Sequence, residues 1–285
     1  MRRFLYVAPL VICLLWLGCE PNKTTTQTHG EFVPPADLPL TCLPDFDGQI
    51  SAAELTPTYD IPANFLVSAS AMTVDLQGQV GDSGRRIWDW STVQPTDRMA
   101  GLKAQAIQGR WFAPSFPQAD FVTPLDAGGT LLGVYHHDVD GLWLHGTASA
   151  EQGTNQTLLI YEAPVDLLRF PLVPDTTWAV TGQVRDGTLN GLSPWSQDDT
   201  YTVEVDAAGE LRLPQITFPH VLRVRTHLHV VPLAVGQTAQ TRQVSFMFEC
   251  FGEVARATSA VYIDDGADPG ANFTQAAEVR RLGSL

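Results

Sequence analysis

The chain has 285 residues, 44% hydrophobic and 17% charged, enough to bury the core of one large domain or two small ones and too apolar for disorder throughout. Its 31 acidic residues outnumber its 17 basic ones, and the net charge of −14 argues against nucleic-acid binding and against membrane docking through a polybasic patch. With 23 Gly, 20 Pro and few charges, the composition favours short strands and many turns, so an all-β fold is expected.

The chain opens with Arg2 and Arg3, followed by an apolar run of 14 residues from Phe4 to Leu17 that contains no charge. A membrane-spanning helix needs about 20 apolar residues, so the run reads as the core of a removable signal peptide over 1–18. It ends in Trp16-Leu17-Gly18-Cys19. That ending resembles the lipobox of bacterial lipoproteins, although Trp16 and Leu17 are bulkier than the residues usual there. The resemblance implies cleavage before Cys19, lipid attachment to its thiol and an acylated N-terminus. Glu20, rather than Asp, after the cysteine implies by the same resemblance an outer-membrane address in the cell envelope. Loss of Arg2 and Arg3 with the signal leaves 15 basic against 31 acidic residues, a charge of −16. Residues 19–40 carry no periodic apolar face and include Pro34, Pro35 and Pro39, the composition of a flexible tether. At about 0.8 kcal/mol per buried methylene, several acyl chains anchor a protein stably.

Cys13 leaves with the signal and Cys19 is acylated, so Cys42 and Cys250 remain. In an oxidising compartment two leftover cysteines most simply form one disulfide; two buried free thiols are the alternative. The bond closes a loop of 208 residues, for which chain entropy gives an upper figure of about 5 kcal/mol.

A single β-rich domain is expected over 41–263. Asp/Gly turn signals at Asp82-Ser-Gly84, Asp126 to Gly129, Asp138 to Gly141, Asp186-Gly187 and Asp206 to Gly209 punctuate apolar and β-branched runs. The runs predict strands at 65–76, 84–91, 119–126, 130–138, 142–149, 157–162, 176–184, 199–206, 210–213, 220–231, 240–251 and 253–263, a large antiparallel sheet in a curved half-barrel or a β-sandwich. Segment 96–110 is the one helix candidate, from the spacing of Met99, Leu102, Ala106 and Ile107, although Lys103 to Ile107 also alternates as a strand. From Val221 to Val231, period-two alternation puts Leu222, Val224, Thr226, Leu228 and Val230 on one face and Arg223, Arg225, His227 and His229 on the other. The strand Tyr201 to Asp206 sets Tyr201, Val203 and Val205 against Thr202, Glu204 and Asp206, which allows its acids to pair with that basic row. Val244, Phe246 and Phe248 occupy one face of 242–251, with Met247 and Phe251 on the other; such a strand lies between two packed layers or lines an apolar cavity. Residues 264–285 read as an acidic loop and a tail, loosely held or an edge strand.

Chemistry-bearing motifs are sparse. Gly191-Leu-Ser-Pro-Trp195 is not a GxSxG elbow, and the acid pairs Asp138/Asp140, Asp198/Asp199 and Asp264/Asp265 sit in turn-like contexts, so no catalytic residue and no enzymatic activity are assigned. Without CxxC or HExxH, no metal site and no cofactor are assigned. His136 and His137 are adjacent in a strand and point to opposite faces, so they do not share one ion; His136 with Asp138 does so only with further ligands. Trp88 and Trp90 lie on one side of their strand, where indoles pack a core or edge, or stack on a sugar. The basic row Arg223, Arg225, His227 and His229 is either a solvated face paired with acids or an anion-binding surface. The segment His136 to Asp140 is read first as a polar hairpin end, Trp88 and Trp90 as packed indoles, and the basic row as a solvated face.

The stretch Leu168-Arg-Phe-Pro-Leu172, Thr176-Thr-Trp178, Tyr201 to Val205, Gly209 to Pro214 and Val221 to Arg225 resembles a pattern of exported β-rich bacterial proteins, some similar to the LolA/LolB type, in which the concave side of a curved sheet receives acyl chains. The resemblance implies a non-catalytic, lipid-anchored envelope domain that binds an apolar or amphipathic ligand or an envelope partner. The alternatives are a carbohydrate-binding module using Trp88 and Trp90, and a structural lipoprotein with no small ligand.

Overall fold

A computed structural model describes residues 42–68, 70–234, 236–263 and 268–283. The expected signal peptide over 1–18, Cys19, the expected tether over 19–40 and residues 264–267 of the expected acidic loop lie outside the described residues. Seventeen strands are described: β1 (Ala63–Ser68), β2 (Met72–Thr73), β3 (Gln79–Val80), β4 (Arg86–Asp89), β5 (Arg98–Leu102), β6 (Gln105–Ala106), β7 (Phe121–Pro124), β8 (Leu131–His137), β9 (Gly141–Ser149), β10 (Leu158–Arg169), β11 (Thr176–Leu189), β12 (Leu192–Arg212), β13 (Thr217–Pro232), β14 (Ala239–Phe248), β15 (Gly252–Thr258), β16 (Gln275–Ala276) and β17 (Glu278–Leu282). Among the described residues the only helical elements are two short 3-10 turns, Ala53–Leu55 and Ala113–Ser115.

Fifteen strands form one sheet in the order β5-β1-β17-β15-β14-β13-β12-β11-β10-β9-β8-β7-β6, with β4 joining β12 in parallel and β3 pairing β4. Every other pairing in it is antiparallel, as the hairpin-like turn signals require. The terminal strands of this path, β5 and β6, are consecutive in the chain through Lys103 and Ala104, so the sheet bends back on itself. No ladder closes it into a barrel. Across the bend, Arg280 Nη2 and Arg256 Nη2 donate to the carbonyl of Leu125 just beyond β7, at 2.8 and 3.3 Å.

Alternation sorts the side chains. Tyr201, Val203 and Val205 of β12, Leu222 and Val224 of β13 and Met247 of β14 join Phe121, Tyr135, Leu144, Tyr161 and Trp178 in one cluster on the inner face. On the outer face Val221, Val244, Phe246 and Phe248 pack with Trp88, Trp90, Leu211, Phe218 and Phe273, covered by the segments around β2 to β4 and around β16. On the inner face β14 contributes Met247 alone to the cluster; Phe251, expected beside it, lies past the turn after β14 and is exposed, so the strand is apolar mainly on its outer face. Burying one such large side chain contributes about 1.5–3 kcal/mol. A third cluster, Ile107, Phe112, Phe116, Val122, Leu132 and Val134, fills the outer face of β7 to β9 beneath the segment 107–119.

Cys42 and Cys250 are bonded across 208 residues of sequence. The bond ties the first described segment to the turn after β14, where Cys250 N–H also donates to Glu54 O. Further along the same segment, Ile50 exchanges two backbone hydrogen bonds with Leu172 and is buried in the inner cluster.

Three expectations need correction. Segment 96–110 is not a helix: β5 and β6 occupy it, because β5 finds a ladder along β1 that the helical spacing of Met99, Leu102 and Ile107 does not reveal. Residues 278–282 are neither a tail nor an edge, since β17 pairs with β1 on one side and β15 on the other. The turns expected at Asp186-Gly187 and Asp206 to Gly209 are register shifts inside β11 and β12, so 199–206 and 210–213 belong to one long strand.

Candidate functional site

The hairpin of β8 and β9 carries an open cleft of about 370 Å³ lined by Gln118, His136, Asp138, Trp143, His145 and Pro164. His136 and Trp143 are cross-strand partners and therefore share a face. His137, one residue on, faces the other way and packs on Phe170 with ring centroids 5.3 Å apart, as alternation demands. Asp138 heads the turn: its Oδ1 accepts the N–H groups of Asp140 and Gly141, both at 2.9 Å, and the indole N–H of Trp143 at 3.1 Å. These bonds, the one from Trp143 foremost, hold its carboxyl below the usual range and leave Oδ2 turned toward His136 Nε2 at 3.6 Å.

Asp120 enters from the end of the cap at 107–119, its N–H on Tyr135 O at 2.8 Å. Its Oδ2 accepts from Nδ1–H of His136 at 2.6 Å. The imidazole of His136 thus has one carboxylate bonded at one nitrogen and a second standing off the other.

His145 reaches the cleft through a double irregularity. Against β8 the register passes from Val134↔Gly146 to Tyr135↔Leu144, so His145 is an extra residue; against β10 it faces the excursion Tyr161 to Pro164. Bulges re-aim side chains in this way. Gly146 permits the close approach: its φ is +148°, and a Cβ there would stand 2.1 Å from Leu159 O. The ring of His145 lies edge-on to His136 with centroids 6.4 Å apart, and its buried Nε2 has no hydrogen-bond partner. Burial lowers the His145 pKa, reinforced by His136 and opposed by Asp120.

The other expected site residues are drawn into packing. Trp88 is fully buried and Trp90 nearly so; their indole N–H groups donate to Leu76 O and Asp75 O, and both rings pack on Phe246. Neither offers a face to a sugar. Arg223 and Arg225 are buried rather than solvated, and both bind Asp206, at 2.7 and 2.6 Å. Arg223 also donates to Leu76 O and Arg225 to Ala271 O and Asn272 Oδ1. His227 bonds Gln240 Oε1 at 2.7 Å and stacks on Tyr262, and His229 lies opposite Thr200 and Gln240 on the same row. A groove of about 130 Å³ remains beside Arg225, His227 and Arg242, but Arg242 is held bidentately by Asp268. Arg223 and Arg225 are thus committed to ion pairs inside the fold.

Near the disulfide, Asp45, Glu54 and Glu249 bring one oxygen each within 4.8 Å of one another. Glu249 is buried and accepts the Phe46 N–H at 2.9 Å, while Glu54 accepts from Ser51.

The sequence offered His136 and Asp138 as a pair lacking further ligands. Asp120 and His145 escaped notice because a cap and two bulges bring them in, and neither has a spacing signature. Comparison with protein families, characterised proteins and solved structures finds no match to this chain.

Proposed function

We propose that the protein is an exported, lipid-anchored envelope protein whose β-domain is a non-catalytic scaffold that binds a small hydrophilic ligand in the β8–β9 cleft. The convergence of Asp120, His136, Asp138 and His145 on one open cleft carries this reading. A polar hairpin end needs no double bulge to aim a second imidazole at the first. The apolar-ligand reading loses its main support, because side chains fill the clusters on both faces of the sheet.

Native mass spectrometry of the protein purified from its own envelope tests the reading. A bound mass that disappears in His136→Ala and Trp143→Ala supports it; a mass retained by both variants excludes the cleft. For the anchor, a fatty-acid analogue is expected to label the wild type and not Cys19→Ser. Unlabelled wild type ends the lipid proposal.

A further inference from the structure

Asp120, His136 and Asp138 form a pattern that goes past general polarity. In metal sites the ligating imidazole commonly donates its other ring N–H to a carboxylate, which fixes the tautomer and directs a lone pair at the ion. Asp120 stands in that relation to His136 Nδ1 at 2.6 Å. Nε2 then faces Asp138 Oδ2 at 3.6 Å, too far for a hydrogen bond. Two ligands of a tetrahedral ion with bonds of about 2.1 Å stand about 3.4 Å apart, so this gap closes with a small adjustment. Asp138 makes its turn-capping bonds through Oδ1 alone, so Oδ2 is available without loosening the hairpin. The third donor is His145, a lining residue of the same cleft whose Nε2 is buried without a partner and reaches the ion by a rotation of the side chain.

Resting on the reading of the cleft as a binding site, we infer that it takes a divalent first-row transition cation. His136 Nε2 and Asp138 Oδ2 are ligands in place, His145 swings in as the third, and Asp120 positions His136. Mixed imidazole and carboxylate donors suit zinc, nickel or copper over calcium or magnesium, which prefer oxygen alone. Open solvent on the cleft's outer side supplies water for the remaining positions.

The test uses tag-free full-length protein in detergent, stripped with a chelator and titrated calorimetrically with Zn²⁺ and with Ni²⁺. One site per chain is expected. His136→Ala and His145→Ala abolish it, and Asp138→Asn weakens it while Oδ1 still caps the turn. Asp120→Asn weakens it by about 10–100-fold, the usual cost of losing a carboxylate behind a ligating histidine. Unchanged near-ultraviolet circular dichroism keeps these losses apart from unfolding. Undiminished binding in both His136→Ala and His145→Ala overturns the inference, as does binding that Glu54→Gln removes, which assigns the ion to the carboxylates beside the disulfide. If wild type binds neither ion but carries an organic mass that His136→Ala loses, the metal inference fails and the cleft reading stands; if it carries neither, both fail.

Discussion

Asp206 and Asp199 lie on one strand, β12, and face opposite sides of the sheet. Asp206 sits at a register shift on the outer side, where Arg223 and Arg225 both reach it. The two guanidinium groups outweigh its burial and hold its carboxyl below the ordinary range. Asp199 is 4% exposed on the inner side, where neutral groups bond it: Tyr161 OH donates to Oδ2 and Gln197 Nε2 to Oδ1, each at 2.7 Å. Desolvation wins there, and the pKa rises to about 6. Burial alone therefore does not fix the protonation state of a carboxylate; what faces it does.

Breaking the charged arrangement carries the largest expected effect. Asp206→Ala leaves two buried guanidinium groups without their counter-ion, a loss of about 3–5 kcal/mol. Urea unfolding at pH 7 measures it. A loss below about 1 kcal/mol would show that water reaches the arginines despite their burial.

This pairing is also where the sequence was most legible. The acidic row of β12 and the basic row of β13 follow from strict alternation, and they meet in the register observed. What alternation does not report is the layer above a face: Trp88, packed 5.2 Å from the Arg223 guanidinium, turns an apparently solvated row into a buried one. The same blindness hid β17, where Arg280 and Arg281 look like a polar tail. Arg281 is in fact fully buried, its Nη1 donating to Trp90 O and Thr92 O and its Nη2 to Asp97. The Cys42–Cys250 pair was readable because it depends on one count, whereas the two-faced reading of 242–251 held for Met247 and failed for Phe251, which alternation carried past the turn that ends β14. The cleft was half readable, since His136 and Asp138 are neighbours in sequence while Asp120 and His145 arrive through tertiary structure.

Asp199 yields the next largest effect, and its sign is opposite. An acid whose folded pKa is raised contributes stability that is fully present below the unfolded pKa of about 3.9 and is lost as pH rises through about 6. From about pH 4 to pH 7 this group removes up to about 3 kcal/mol. Asp199→Asn cannot ionise, so its stability curve is expected to be flatter than wild type across that window. Parallel curves would mean that Asp199 titrates in the native state where it does in the unfolded chain. Tyr161→Phe sharpens the point. It removes a donor from Asp199 and a partner from Tyr201, whose hydroxyl lies 2.9 Å away. The cost is about 1–2 kcal/mol. Because the lost bond favoured the carboxylate, the pH window moves upward.

The smallest effect belongs to Asp268, which repeats the chemistry of Asp206 in water. Its carboxylate takes Arg242 bidentately at 2.6 and 2.7 Å, geometry as good as any in the buried ion pairs, and that bond foremost holds its pKa well below the usual range. Its side chain is nonetheless 48% exposed. In Asp268→Ala the arginine regains water instead of being stranded, so the loss is expected below about 1 kcal/mol, shrinking further in high salt. Unfolding of Asp206→Ala and Asp268→Ala side by side at two ionic strengths measures the contrast. Equal losses would mean that hydrogen-bond geometry, and not the layer covering Arg223 and Arg225, makes the buried pair matter.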